Sequence, residues 1–163
     1  MLCDRSITSQ SKLTMPYPQL KLDNQLCFRL YTVARLVTAC YTPHFRQYGI
    51  TYPQYLVLML LWEQDNRIIS EITDRLHLET NTITPLLQRM EKQGLIVRQK
   101  SKADSRQRII SLTGDGKRLE EQIKEVPNCL VRRIVESGMS EEELKAMIPL
   151  LDKFIQVVAK SDL

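Results

Sequence analysis

The sequence is poor in the features that build metal sites, membrane spans and secretory signals. It has two histidines and four cysteines in 163 residues, and no two cysteines have CxxC spacing, so a structural zinc site is not expected. The longest apolar run, residues 55–62, is far shorter than the roughly 20 residues that cross a bilayer. The N-terminus contains no apolar segment typical of signal peptides. We therefore expect a cytoplasmic protein without membrane contact, metal or cofactor.

Positive charge is in small excess and is unevenly distributed. The formal net charge is +4, but residues 1–113 carry 15 basic and 9 acidic side chains, whereas residues 114–163 carry 8 and 10. With 43% hydrophobic and 26% charged residues, the composition is that of a globular protein of one domain with an appended element. The charge distribution favours a nucleic-acid partner for the first two thirds of the chain.

The first half of the chain predicts two helices after a loose start. Residues 1–20 are rich in Ser, Thr, Gln and Pro and indicate a flexible arm. Apolar residues recur at helical spacing from Leu22, and Pro43 predicts that this helix ends near Thr42. Thr51 then begins a capping box with Gln54, three residues later. The helix that follows is almost entirely apolar, so we expect it to be the central helix of the core.

Two short helices joined by a tight turn come next. Ser70 is a candidate N-cap for the first, residues 77–79 form the turn, and the second runs from about Asn81 to Gly94. The second helix carries polar side chains able to hydrogen-bond to base edges and phosphates. These candidate DNA-binding residues are Thr80, Asn81, Thr82, Thr84, Gln88 and Arg89.

A basic hairpin follows this helix. Two β-like runs, Leu95–Gln99 and Gln107–Leu112, are joined by the charged segment KSKADSR. Alone, such a hairpin is explained by a solvated charged surface, but directly after two short helices it is typical of a wing that follows the DNA backbone or minor groove. Its candidate DNA-binding residues are Arg98, Lys100, Lys102, Arg106 and Arg108. Asp104 opposes phosphate, so we interpret it as an internal partner of Arg106 or of the turn.

The remaining chain predicts a long amphipathic helix to Gly138 and a last helix opened by a capping box at Ser140 and Glu143. These helices exceed the needs of a domain of about 90 residues and suggest a homodimer, which would place two recognition helices on palindromic double-stranded DNA. A monomer with a three-helix cap is the alternative.

The predicted fold is mainly α with a small β-hairpin wing, a winged helix-turn-helix with N- and C-terminal helical dimerisation elements. Its predicted regions are a flexible arm (1–20), the first helix of the dimerisation region (21–48), the DNA-binding domain (49–113) and the C-terminal dimerisation region (114–163).

Four segments resemble the MarR family of winged-helix repressors over roughly residues 20–160. They are LDNQLCF (22–28), ITYPQYLVLMLLWE (50–63), TNTITPLLQRMEKQGLI (80–96) and Asp104-Ser105-Arg106. The first two are similar to the organic hydroperoxide sensor (OhrR) branch. In that branch the cysteine of the LCF motif reacts with peroxide and tyrosines hydrogen-bond to it, which implies Cys27, Tyr41 and Tyr52. Tyr31, one turn after the cysteine, joins the candidate set.

Helix geometry constrains this implied site. Cys27 and Tyr41 are 14 residues apart, about 21 Å along one helix, so a contact between them requires Tyr41 from a second subunit. Oxidation would form a sulfenic acid and shift the helices. Cys129 is a candidate resolving thiol, since some relatives use a cysteine after the wing, and a low-molecular-weight thiol is the alternative. Cys40 and Cys3 are interpreted as bystanders.

These features predict a homodimeric regulator, not an enzyme, that represses transcription and is released from DNA when an organic hydroperoxide oxidises Cys27. One alternative keeps the DNA module but replaces the redox switch by a phenolic or other small ligand. A second alternative is a thiol peroxidase, although the sequence shows no catalytic constellation beyond the tyrosines and no reason for a basic wing.

Overall fold

The computed structural model describes residues 17–101, 104 and 106–160. The chain divides into two compact units, Met1–Val37 and Thr38–Leu163. In chain order the helices and strands are α1 (Leu26–Arg46), α2 (Tyr52–Glu63), β1 (Arg67–Ile68), α3 (Ile69–Leu76), α4 (Thr80–Lys92), β2 (Ile96–Lys100), β3 (Arg108–Leu112), α5 (Gly114–Ile123), α6 (Val126–Glu136) and α7 (Glu141–Lys160).

The first unit contains two single 3-10 turns, Pro18–Leu20 and Leu22–Asn24, and the N-terminal part of α1. The predicted start of the first helix at Leu22 is therefore wrong by one turn, because the extended backbone of Gln25 separates the second 3-10 turn from α1. Residues 1–16 of the predicted arm lie outside the described residues.

The predicted end of α1 near Thr42 is also wrong, because the helix continues through Pro43 to Arg46. A proline removes one helical hydrogen bond, and packing offsets that loss here. The side chain of Phe45 is only 1% exposed, and its ring contacts Tyr41 and Tyr55 at centroid distances of 5.4 and 4.8 Å. Burial of this phenylalanine stabilises the last turn of α1.

The core of the second unit forms around α2, as the sequence predicts. Four of its aliphatic residues are 0–4% exposed, namely Val57, Leu58, Leu60 and Leu61. Gln54, at the start of this helix, is a buried polar residue whose hydrogen bonds are satisfied. Its side-chain oxygen accepts from the Thr51 N–H at 2.9 Å, and its amide donates to Gln93 at 2.8 Å. The predicted capping residue therefore also ties α2 to the end of α4.

The wing belongs to a three-stranded antiparallel sheet of order β1-β3-β2. β2 and β3 pair from Ile96 opposite Leu112 to Lys100 opposite Arg108, within one residue of the predicted hairpin. β1 lies in a segment, residues 67–69, that the sequence predicts as extended, but its place in the sheet was not predicted. It pairs Arg67 with Ile110. The predicted fold class is confirmed, with this strand added.

Both helices of the helix-turn-helix begin earlier than predicted. The backbone N–H of Ile68 donates to the carboxylate of Glu71 at 3.0 Å, so the N-cap of α3 is Ile68, and the prediction of Ser70 is wrong. α4 begins at Thr80 after the N-cap Glu79. Pro85 lies inside α4, and Gly94 ends the helical segment with a positive φ of 72°.

The single long helix predicted after the wing is two helices, α5 and α6. The break lies at Lys124 and Glu125, and Pro127 stands at the second position of α6. Proline has no N–H to donate to the carbonyl of Ile123, and its ring disfavours a continuous helix at that point. The capping box of α7 is confirmed, since Ser140 and Glu143 exchange hydrogen bonds of 2.7 and 3.1 Å. Within the described part of the chain, no helix has the length and apolar character needed to span a membrane.

Candidate functional site

Helix α4 has one buried and one exposed face. Ile83, Leu86, Leu87 and Met90 pack into the core. The candidate DNA-binding residues Thr80, Asn81, Thr82, Gln88 and Arg89 are exposed, and Thr84 is half-buried. No side chain caps the start of the helix. Its first N–H groups and the positive end of its dipole are therefore suited to a phosphate, and its exposed side chains to base edges.

A salt bridge joins the wing to this helix. The Nε of Arg98 on β2 lies 2.8 Å from the Glu91 carboxylate on α4, and both side chains are partly buried. Sequence reasoning assigned Arg98 to DNA and did not find this partner. The ion pair links the two elements that would contact DNA, so it supports a positioning role for Arg98.

The tip of the wing concentrates positive charge. Lys100 and Arg108 are paired residues of the β2–β3 ladder and are both exposed. Like charges directly opposite each other destabilise a strand pair, whereas a polyanion laid along them would stabilise both. Arg106 is 90% exposed. Lys102, the remaining predicted wing residue, lies outside the described residues.

The acidic residue of the wing pairs internally, as the sequence predicts. Asp104 Oδ1 accepts from the Arg106 backbone N–H at 3.0 Å and from its Nε at 3.3 Å. The carboxylate therefore shapes the turn and orients the arginine.

The candidate redox residues are divided between the two units. Cys27 and Tyr31 belong to the first unit, and both are exposed. Tyr41, Tyr52 and Cys129 belong to the second. Among the described residues, no group of three or more His, Cys, Asp or Glu side chains is placed to hold a metal ion.

Two predicted tyrosines of the second unit lie in one aromatic cluster. The ring centroids of Tyr41 and Tyr52 are 5.0 Å apart. Tyr55, which sequence reasoning did not single out, lies 5.8 Å from Tyr41 and 6.0 Å from Tyr52. The sequence contains one indication that Tyr55 belongs to this cluster. Tyr52 and Tyr55 are three residues apart at the start of α2, and this spacing places both on one face of the helix.

This cluster holds its phenols in the neutral form. Burial, with smaller contributions from Tyr52, Tyr55 and Cys40, raises the pKa of Tyr41 to about 12. Burial also raises the pKa values of Tyr52 and Tyr55 above the ordinary value for tyrosine. At neutral pH these hydroxyls therefore keep their protons and can donate hydrogen bonds.

Comparison with known proteins identifies the family. The family model "Transcriptional regulator SarA/Rot" matches residues 39–123, just over half of the chain. The organic hydroperoxide resistance transcriptional regulator of Bacillus subtilis is 42% identical over 141 residues, 86% of this chain and 96% of the relative. The chain belongs to the SarA/Rot, MarR-type family of winged-helix transcriptional regulators.

Solved structures agree with this assignment. AbfR of Staphylococcus epidermidis is 36% identical to this regulator, and the match covers 88% of this chain and 97% of AbfR with a TM-score of 0.70. AbfR has also been solved in a reduced form bound to DNA. That structure is 36% identical to this regulator, and the match covers 88% of this chain and 98% of AbfR with a TM-score of 0.69. A disulfide form of AbfR is 40% identical, and the match covers 80% of this chain and 94% of AbfR with a TM-score of 0.58.

We expect the regulator to lose stability between pH 10 and pH 12, in part through Tyr41. The unfolded chain releases the tyrosine proton near pH 10, whereas the folded chain keeps that of Tyr41 until about pH 12. The unfolded state therefore binds fewer protons in this window, and the free energy of unfolding falls as pH rises. Below pH 10, Tyr41 makes its full contribution to the free energy of unfolding, and this contribution is lost as the pH rises toward 12.

Thermal unfolding from pH 8 to pH 12 tests this expectation. The alkaline fall in melting temperature should be smaller in Tyr41→Phe than in the native regulator. Tyr31→Phe is the matched control, because Tyr31 is 66% exposed, and its curve should follow the native one. Equal alkaline losses in Tyr41→Phe and the native protein would contradict the expectation.

Proposed function

We propose that this regulator is a homodimeric repressor that binds palindromic DNA and is released when an organic hydroperoxide oxidises Cys27. The observation that carries the DNA-binding part is the exposed polar face of α4 beside the basic wing, joined by the Arg98–Glu91 ion pair. The reduced, DNA-bound form of the relative AbfR supports the same part.

The α4 face and the wing have different roles in the proposed complex. Gln88 and Arg89 on the exposed face of α4 read base edges in the major groove, and the free helix start receives a phosphate. Arg106, Lys100 and Arg108 at the wing tip contact the backbone or minor groove. A second copy supplies the same surface to the other half of the palindrome.

Arg106→Ala should weaken binding to every DNA sequence by about fivefold and lower the salt dependence of binding by about one ion per chain, because it removes a phosphate contact. Gln88→Ala should instead change which bases are preferred, because its side chain reads a base edge. Both results come from binding assays on a panel of duplexes at several salt concentrations.

Arg118→Ala is the control for the loss of one positive charge, since Arg118 lies on α5 and pairs with Asp115. Its affinity and salt dependence should equal those of the native regulator. An Arg106→Ala protein that binds like the native protein would refute the assignment of the wing.

The redox part of the proposal is supported by the exposed thiol of Cys27 and by the name of the Bacillus subtilis relative. In the proposed step, the Cys27 thiolate attacks one oxygen of the hydroperoxide. The S–O bond forms as the O–O bond breaks, the thiolate is oxidised to a sulfenic acid, and the peroxide leaves as an alcohol after taking up a proton.

We propose that Tyr41 and Tyr52 act as hydrogen-bond donors to the reacting thiolate of a second subunit. Both hydroxyls are protonated at neutral pH, as in an ordinary tyrosine, and burial raises their pKa values further. A sulfenic acid differs from the thiolate in size and in hydrogen-bonding capacity, so oxidation would change these contacts and shift α1. The sulfenic acid then condenses with Cys129 or with a low-molecular-weight thiol, and the mass of the oxidised chain distinguishes the two products.

A gel shift with and without cumene hydroperoxide tests the redox proposal directly. The duplex is selected from a random pool with the reduced regulator, because the operator is not encoded in the protein sequence. Peroxide should release the native regulator, and dithiothreitol should restore binding. Unchanged binding in peroxide, with Cys27 shown by mass to be oxidised, would refute the proposal.

A small ligand is the second candidate inducer, and one cavity favours it. A space of about 320 Å³ lies between α2 and α5. Tyr55, Met59 and Trp62 give it an aromatic and apolar wall, and Glu63, Glu120 and Lys124 add charges of both signs. Lys124 also pairs with Glu121 at 2.8 Å. These groups fit a small uncharged phenol better than a phenolic acid. Release of the regulator by phenol under anaerobic, reducing conditions would support this candidate over oxidation of Cys27.

A further inference from the structure

Two thiols of the second unit line the same cavity. Cys40 on α1 and Cys129 on α6 line one small cavity of about 20 Å³. This volume holds about one water molecule. Both thiols are also exposed to solvent. Sequence reasoning treated Cys40 as a bystander, because 88 intervening residues conceal its nearness to Cys129.

One face of α1 and one face of α6 line this cavity. Cys40 and His44 are four residues apart and therefore share one face of α1. Cys129 and Arg133 share one face of α6 for the same reason, and all four side chains line the cavity.

Helix α6 is a separate segment of 11 residues, because Lys124 and Glu125 divide it from α5. A disulfide needs its two Cβ atoms about 3.5–4.5 Å apart. A disulfide between Cys40 and Cys129 therefore requires the cavity that both thiols line to close.

We propose that Cys40 and Cys129 form a second redox site, in which a hydroperoxide produces an intrachain disulfide that ties α1 to α6. One thiolate attacks the peroxide oxygen and becomes a sulfenic acid, while the peroxide leaves as an alcohol. The other thiolate then attacks that sulfur, the S–S bond forms, and the hydroxyl leaves as water. Two thiols and one hydroperoxide give one disulfide, one alcohol and one water. This site extends the proposed function and rests on its second branch, in which a low-molecular-weight thiol, and not Cys129, condenses with the Cys27 sulfenic acid.

The test uses the full-length variant Cys3→Ser/Cys27→Ser, which leaves Cys40 and Cys129 as its only thiols. The protein is treated with one equivalent of cumene hydroperoxide, denatured and alkylated with a maleimide. We expect a monomer that is lighter by about 2 Da, for the two lost hydrogens, and takes up no maleimide. Peptide mapping should link the fragments that contain Cys40 and Cys129, and dithiothreitol should restore both thiols.

The matched control adds Cys40→Ser to the same variant. It should show no 2 Da loss, and its Cys129 should remain alkylatable or gain oxygen. The proposal is overturned if both thiols of the test variant stay alkylatable, if the product is a dimer linked through Cys129, or if Cys129 of the oxidised native chain is linked to Cys27. Because the test variant lacks Cys27, this result and the peroxide response on DNA can succeed or fail separately.

Discussion

Cys27→Ser is expected to abolish the release of the regulator from DNA by organic hydroperoxide. Serine cannot be oxidised to a sulfenic acid, so the proposed change in hydrogen bonding at α1 does not begin. The side chain of Cys27 is exposed, and its replacement by the similar serine should not disturb folding. The native regulator should lose about 10- to 100-fold in DNA affinity on oxidation, the range of typical allosteric coupling, and the serine variant should lose none.

Cys40→Ser is the matched control, since Cys40 is another exposed thiol of the same helix. It should keep the full loss of DNA affinity in peroxide. Affinities are measured by fluorescence anisotropy on a selected duplex, before and after peroxide, at one salt concentration. Release of Cys27→Ser by peroxide to the same extent as the native regulator would refute the assignment of Cys27 as the sensor.

Gly116→Ala should destabilise the folded regulator strongly. Gly116 lies in α5, where a Cβ atom would stand 2.2 Å from the backbone carbonyl oxygen of Leu95. Backbone cannot move aside as a flexible side chain does, so α5 and the start of the wing must separate. The Gly116 carbonyl also accepts a 3.0 Å hydrogen bond from the Trp62 indole, which this movement would weaken. We expect a loss of about 3 kcal/mol, or a melting temperature lower by about 10 °C.

Gly114→Ala tests whether space, and not the loss of glycine as such, determines this effect. A Cβ atom at Gly114 would meet only the end of the Arg118 side chain, at 3.3 Å. Alanine also favours the helix by up to about 1 kcal/mol over glycine. Its melting temperature should therefore equal or exceed the native value at the same protein concentration. A Gly116→Ala protein that melts within about 2 °C of the native one would show that the backbone contact is not tight.

The exposed face of α4 could be predicted from the sequence because its periodicity is local. Apolar residues at helical spacing mark the buried face, and the polar residues between them must then point outward. The hairpin was also predicted to within one residue, from two β-like runs joined by a charged segment. The partner of Arg98 could not be predicted in this way, because Glu91 and Asp104 lie at similar distances from it along the chain, and the path of the turn at Gly94 selects Glu91.

Prolines show where local rules fail. Pro43 and Pro127 carry the same local signal, yet α1 continues through the first, and the helix predicted after the wing divides near the second. The burial of Phe45 explains the continuation of α1. This burial depends on contacts with α2, which no local pattern contains.

The amino-acid sequence by itself determined the family, the helix-turn-helix with its basic wing, and the candidate sensing thiol, since each depends on residues close together in the chain. The tertiary structure alone decided the pairing of the third strand, the Arg98–Glu91 salt bridge, the aromatic cluster around Tyr41 and the cavity shared by Cys40 and Cys129. These features join residues that are distant in sequence or depend on the exact path of a turn, so their proximity follows from the packing of whole helices and strands.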